Sequence, residues 1–208
     1  MMKNLLFTLC MACLTLVSNP AAAQTEIPLP KPDFPNTMSL AEALQTRRSS
    51  RDFANPRRLS DQMLSNLLWA ACGVSSADGK ITAPSAMNKQ DIRVYVCRAD
   101  GAYLYDPRAN TLTQVSATDL RPAVAGRQAF AAQAPVSLVL VSDLTLFNHN
   151  AEQMGSIDVG YVSQNICLAC TALGIKTVPR MTMDAAALRS ALSLPETTAL
   201  LINHPVGY

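Results

Sequence analysis

Residues 158–180 read DVGYVSQNICLACTALGIKTVPR. Apolar residues fill most helical positions, and the spacing predicts one long helix from Ser156 to Leu173, closed by Gly174. A helix that is apolar nearly all round belongs in the centre of a core. Gln164 and Asn165 fall in these surroundings and must find partners there. Cys167 and Cys170 form a C-x-x-C, but no glycine or proline separates them and no second ligand pair accompanies them. They read as buried thiols packing as small hydrophobes rather than as a redox or metal site.

On both sides of this helix the pattern changes period. Ile92–Cys97 (IRVYVC) alternates and is β-branched and aromatic, so it reads as a strand. Ala102–Tyr105 and Thr111–Val115 read as the next two, joined by the Asp106-Pro107 turn signal. A helical stretch is expected over 117–132, then Val136–Val141 (VSLVLV), whose unbroken apolar run suits a buried strand. Asp184 caps a last helix carrying Leu188, Ala191 and Leu192, and Thr198–Asn203 forms a terminal strand. Towards the N-terminus, Ser39-Leu40-Ala41-Glu42 is a capping box opening a short helix. Ser60 opens another, with Met63, Leu64, Leu67, Leu68 and Ala71 on one face and Gly73 at its end. Strands mixed with helices, without strict βαβ alternation, indicate an α+β layered fold.

The first 23 of the 208 residues have the parts of a cleavable signal peptide: Lys3, the apolar run Leu5–Val17 and the small residues Ala21-Ala22-Ala23 before Gln24. The apolar run is too short for a permanent span, so no stable membrane anchor is expected after cleavage, and the mature chain is expected to be periplasmic or secreted. Residues 24–37 contain EIPLPKPDFP, whose four prolines make an extended arm, and 38–208 form the domain. Seventeen Lys+Arg against 15 Asp+Glu leave no surplus of positive charge that would suggest a nucleic-acid partner.

Against this near-neutral background, residues 47–53 read RRSSRDF. Arg47, Arg48, Ser49 and Arg51 could cradle a phosphate, since guanidinium forks match its oxygens bidentately and hydroxyls add short donors. A charged helix end explains the same residues as well. PSAMNKQ, residues 84–90, precedes the strand at 92–97. Pro84, Ser85 and Ala86 would let the backbone approach a flat ligand whose edge Asn88 could address, and an ordinary polar loop is the other reading.

RRSSRDF, PSAMNKQ, the core helix running into KTVPR, and LINHPVGY at 201–208, in this order, resemble the FMN-dependent nitroreductase family. In particular they resemble its branch similar to the azoline-oxidising dehydrogenases of peptide-modifying systems. The resemblance spans 38–208 and implies a mostly antiparallel sheet packed by helices, in an intertwined homodimer with FMN at the subunit interface. Two chains can enclose a large flat ring that one small subunit cannot. It implies that Arg47, Arg48, Ser49 and Arg51 form the phosphate and ribityl site. Pro84, Ser85, Ala86 and Asn88 would lie against the flavin from the partner subunit, and Val178, Pro179, Arg180 and Met181 would face its reactive side. Where the family often has glycines after Val-Pro, this sequence has Arg180-Met181-Thr182; where many members continue into a basic tail, it ends at Tyr208, so phosphate binding should rest on the N-terminal arginines.

The activity implied is hydride transfer through flavin N5 from a reduced donor, such as NAD(P)H, to a nitroaromatic, quinone or similar small-molecule acceptor, with no catalytic side chain required. No metal-ligand cluster is expected, and His149 and His204 read as structural or surface residues. Export would separate the protein from the cytoplasmic NAD(P)H pool. Two alternatives therefore stand beside this reading. One is a flavin-dependent dehydrogenase of an exported peptide or metabolite, for which Tyr161 or Lys176 would have to serve as base. The other is a flavin-binding protein without turnover.

Overall fold

Alternation along two strands shows how the layers are built. In β2 (Ile92–Arg98), Val94 and Val96 face one core, while Tyr95 and Cys97 face another on the opposite side of the sheet. In β5 (Val136–Asp143), Leu138 and Leu140 join the first core and Val139 and Val141 the second. Both faces of these central strands are covered, which is why VSLVLV is apolar throughout. The computed structural model describes residues 25–35, 38–55 and 57–208; the expected signal peptide lies outside the described residues.

Among the described residues, seven strands form one sheet in the order β1-β4-β3-β2-β5-β7-β6, with antiparallel pairing throughout. The others are β1 (Glu26–Pro28), β3 (Gly101–Asp106), β4 (Thr111–Ser116), β6 (Lys176–Thr177) and β7 (Thr198–Gly207). One face carries α2 (Asp61–Cys72) and α4 (Ala151–Ala172); the other carries α3 (Arg121–Ala125) and α5 (Ala185–Ala191). In α2, Leu64, Leu67 and Leu68 are almost fully buried, each contributing about 1.5–3 kcal/mol of transfer free energy. The proline-rich arm runs extended along the domain: β1 pairs with β4 at the sheet edge, Asp33 N–H donates to Asn66 Oδ1 at 2.9 Å, and Pro30 O accepts from Ser65 Oγ.

Four sequence expectations are corrected. The helix expected over 117–132 is two short pieces, α3 and a 3-10 turn at Ala129–Gln133, because the chain breaks at Gly126, whose φ of 55° is left-handed. The long helix begins at Ala151, earlier than Ser156. It is also not buried all round: Ile157, Gly160, Tyr161 and Gln164 are exposed, and only the face bearing Val159, Val162 and Ile166 enters the core. β7 runs to Gly207, past Asn203, because β5 and β6 both pair with it there. Gly73 does end α2, but at φ −68° it is not a left-handed cap; a Cβ there would stand 2.3 Å from Trp69 Cδ1.

Candidate functional site

The capping box at Ser39 forms as its spacing predicts: Ser39 N–H donates to Glu42 Oε2 at 2.9 Å and Glu42 N–H to Ser39 Oγ at 3.3 Å. It starts α1 (Leu40–Thr46), which delivers RRSSRDF to the edge strand β6. There Ser50 N–H donates to Thr177 O at 3.0 Å. Lys176 Nζ reaches Asp52 Oδ2 at 2.9 Å, and that hydrogen bond holds the Asp52 carboxyl below the usual carboxylate range. Both partners are solvent-exposed enough that the pair adds little stability. Phe53 is buried with Val178 and Ala134, its ring stacked on Phe130 at 6.4 Å. The first and third of the segments quoted above are therefore neighbours in space.

The arginines of this run do different things. Arg48 turns back on the helix end, Nη1 donating to the carbonyls of Gln45 and Arg47, which is the helix-end role the sequence left open. Arg47 and Arg51 take part in no ion pair among the described residues, and Ser49 is exposed beside them. Burial pushes the Cys167 thiol up and the Arg47 charge acts in the opposite sense, which places that guanidinium within electrostatic reach of α4. Two unpaired guanidinium groups with adjacent hydroxyls suit a phosphate-sized anion. The other thiols are less reactive still: burial pushes Cys72 and Cys97 up to about 12 and Cys170 well above its ordinary value.

After β6, Val178 is buried, Pro179 is exposed and Met181 is 78% exposed, at the mouth of a cleft of about 870 Å³ that also includes Gly126, Arg127 and Met183. Arg180 departs from the expectation that it faces a ligand. Its guanidinium is turned inward, where Nε donates to Gln128 Oε1, Nη1 to Asn203 Oδ1 and Val124 O, and Nη2 to Ala125 O. Its backbone N–H is spent on Asn203 O at 2.9 Å. Below this segment His204, fully buried, lies between Ser163 Oγ at 2.9 Å and Thr177 Oγ1 at 3.2 Å, and burial lowers its pKa to about 3. It is a neutral structural histidine, as its position in the last strand suggested.

PSAMNKQ stands apart. No hydrogen bond joins it to 47–53 or 178–181 among the described residues; it is anchored through Ala86 N–H to Asp158 Oδ2 on α4 at 2.8 Å, and Gln90 N–H donates to Ser85 Oγ. Met87, Asn88 and Gln90 all have left-handed φ, near 50°, a costly arrangement for non-glycine residues. Met87 and Asn88 project outward. Sequence reading missed what supports this segment: Asp158 and Asp91 are fully buried, with Ser142 Oγ donating to Asp91 Oδ2 at 2.5 Å. An acid between the apolar positions of α4 was the available signal. Tyr161 sits on the outer face of α4 and Lys176 is engaged by Asp52, so the structure does not bring these two candidate bases together.

The nitroreductase family model matches residues 44–208. A Methanocaldococcus jannaschii protein that carries a nitroreductase name is 29% identical over 184 residues, covering 82% of this chain and 91% of its own. A crystal structure titled as a nitroreductase of Ralstonia eutropha is 33% identical, covers 88% of each chain and superposes with a TM-score of 0.81. A subunit of the Escherichia coli microcin synthetase complex covers 99% of this chain at a TM-score of 0.69 but is only 18% identical, a likeness of fold alone. The sheet order, the paired helical layers and this match across most of the described domain lead to one conclusion: the chain belongs to the nitroreductase family.

Proposed function

We propose that the protein is an exported FMN-dependent oxidoreductase that passes hydride from a reduced donor to a nitroaromatic, quinone or similar electron-poor acceptor. Membership of the nitroreductase family gives the oxidoreductase class. The single observation that carries the cofactor is the meeting of RRSSRDF with the segment after α4, through Ser50 N–H to Thr177 O and Phe53 packed with Val178, which brings the run bearing Arg47, Ser49 and Arg51 up to the chain that leads into Val178-Pro179. The residues fit the group at its phosphate end. At the ring end they fit less fully, since Arg180 N–H already bonds Asn203 O and is not free to meet a flavin nitrogen.

When bound, the flavin supplies a ring that accepts and donates hydride. The protein's own residues bind and orient: Arg47 and Arg51 hold the phosphate, and Phe53, Phe130 and Val178 give the adjoining segment a rigid floor. A second copy completes the pocket by contributing Pro84, Ser85, Ala86 and Asn88, in keeping with the outward projection of Met87 and Asn88 in one chain. Its interface would be the apolar face running from Met38 and Leu40 across Leu168 to Tyr161 and Ile157.

The test is a visible spectrum of the purified protein, followed anaerobically after adding NADH or NADPH. A flavin band that bleaches is the expected result. A flavin that stays oxidised would direct attention to a different donor; absence of flavin after incubation with FMN would overturn the reading.

A further inference from the structure

Asp91 and Asp158 are buried to the last percent of their surface, yet neither forms an ion pair among the described residues. Asp91 opens β2's approach and Asp158 lies on the inner face of α4, and their carboxyl groups are within hydrogen-bonding reach of each other. The helix comes this close because residue 155 is glycine, where a Cβ would stand 2.3 Å from Ser142 Oγ and 3.6 Å from Asp91 Oδ2. The donors available are few. Ser142 Oγ serves Asp91 Oδ2, the Ala86 N–H serves Asp158 Oδ2, and Asp91 Oδ1 is buried with no donor among the described residues. Two ionised carboxylates buried this deeply would repel with little solvent screening. One proton between the two carboxyls removes that repulsion and supplies a donor to a pair otherwise short of them.

We propose that Asp91 and Asp158 are positioning residues that hold the 84–90 segment in its left-handed conformation through a single shared proton. With that proton, the pair carries one negative charge, Asp91 and Asp158 bond to each other, and Asp158 Oδ2 is left to receive Ala86 N–H. Without it, the two charges separate, and the contact that gives way is the one to a loop of three left-handed non-glycine residues.

The other groups packed around the pair do not account for a proton step near neutrality. From β2 and β5, Arg93 and Asp143 are engaged with each other at 3.4 Å; from the loop, Lys89 is exposed; from β7 against α4, His204 is held neutral by burial. Burial, then the charge and hydrogen bond of Asp158, raise the Asp91 carboxyl to about 6, while Ser142 opposes them. The sign follows: a raised acid favours the ordered loop below its pKa, and that advantage is lost as pH rises through about 6. The inference needs only the chain itself and stands apart from flavin binding.

The experiment compares hydrogen exchange of residues 84–90 in the purified full chain from pH 5 to 8, corrected for intrinsic rates, in wild type, Asp91→Asn and Asp158→Asn. Either amide replaces the shared proton with a permanent N–H. In wild type, protection of the segment should fall by on the order of tenfold across pH 6, since one pKa unit corresponds to a factor of ten; in both variants it should be flat. Equal pH dependence in all three would overturn the proposal. Should both variants fail to fold, infrared titration of wild type decides alone: a carboxylic-acid C=O band persisting above the ordinary carboxylate range supports the shared proton, and its absence above pH 5 removes it.

Discussion

At the scale of single residues, three arginines packed into five positions divide their labour: Arg48 closes a helix, while Arg47 and Arg51 stay unpaired among the described residues. Replacing Arg47 and Arg51 together with alanine should lower FMN affinity by about 3–6 kcal/mol if each makes one charged hydrogen bond of about 1.5–3 kcal/mol, whereas Arg48→Ala should chiefly destabilise α1. Titration of flavin fluorescence in the three proteins would check this, and equal affinity in the double variant would remove the phosphate site. The residue types at this site were legible in the sequence because guanidinium chemistry does not depend on fold. Which arginine faces a ligand was not, because that depends on where α1 stops. Arg180 shows the same limit: its neighbours Gln128 and Asn203 are distant in sequence, so nothing local announced that it would turn inward.

Among the elements, α4 was found from its apolar period, and its inner face packs as expected against α2 and the sheet. Its outer face was misread because composition alone cannot say which apolar positions one chain will cover. The close crossing of α4 over β5 depends on Gly155, which carries no conformational requirement and serves by lacking a side chain. Gly155→Ala should cost about 1–3 kcal/mol by overpacking, lowering the thermal midpoint by about 2–4 °C per kcal/mol in a protein of this size. Gly160→Ala, where a Cβ meets nothing within 4 Å, is the matched control and should be neutral or slightly stabilising. A differential scanning measurement on both would separate the two. β2, β3, β4, β5 and β7 were legible because alternation, unbroken apolar runs and turn residues are local signals; β1 and β6, three and two residues long, carry no such pattern and exist through their pairing with β4 and β7. The failure over 117–132 came from Gly126, which a pattern count treats as a tolerated interruption and the backbone treats as a stop.

For the whole molecule, the large exposed apolar side chains among the described residues are Met87 and Met181 on two separate loops and a further set on α1, its approach and α4. Ile157 and Tyr161 are 48% and 46% exposed on the same helix, and Leu40 of α1 shares a groove with Leu168 of that helix. This face is where the proposed second copy would dock. Ile157→Glu with Tyr161→Glu should convert a dimer to a monomer in sedimentation velocity and release flavin with it, if the second chain completes the pocket. A variant that stays dimeric would place the interface elsewhere, and one that becomes monomeric with flavin still bound would confine the pocket to a single subunit. The sheet order has a further consequence, for synthesis. β2, β3 and β4 are joined by short turns and can pair as they emerge, but the other edge of β5 is covered only by β7, about 55 residues further on. At about 5–20 residues per second, VSLVLV waits on the order of 3–11 s with an open edge. During that interval the nascent chain presents its most aggregation-prone segment to its surroundings, so its yield in the cell is set by what shields that edge until its partner arrives.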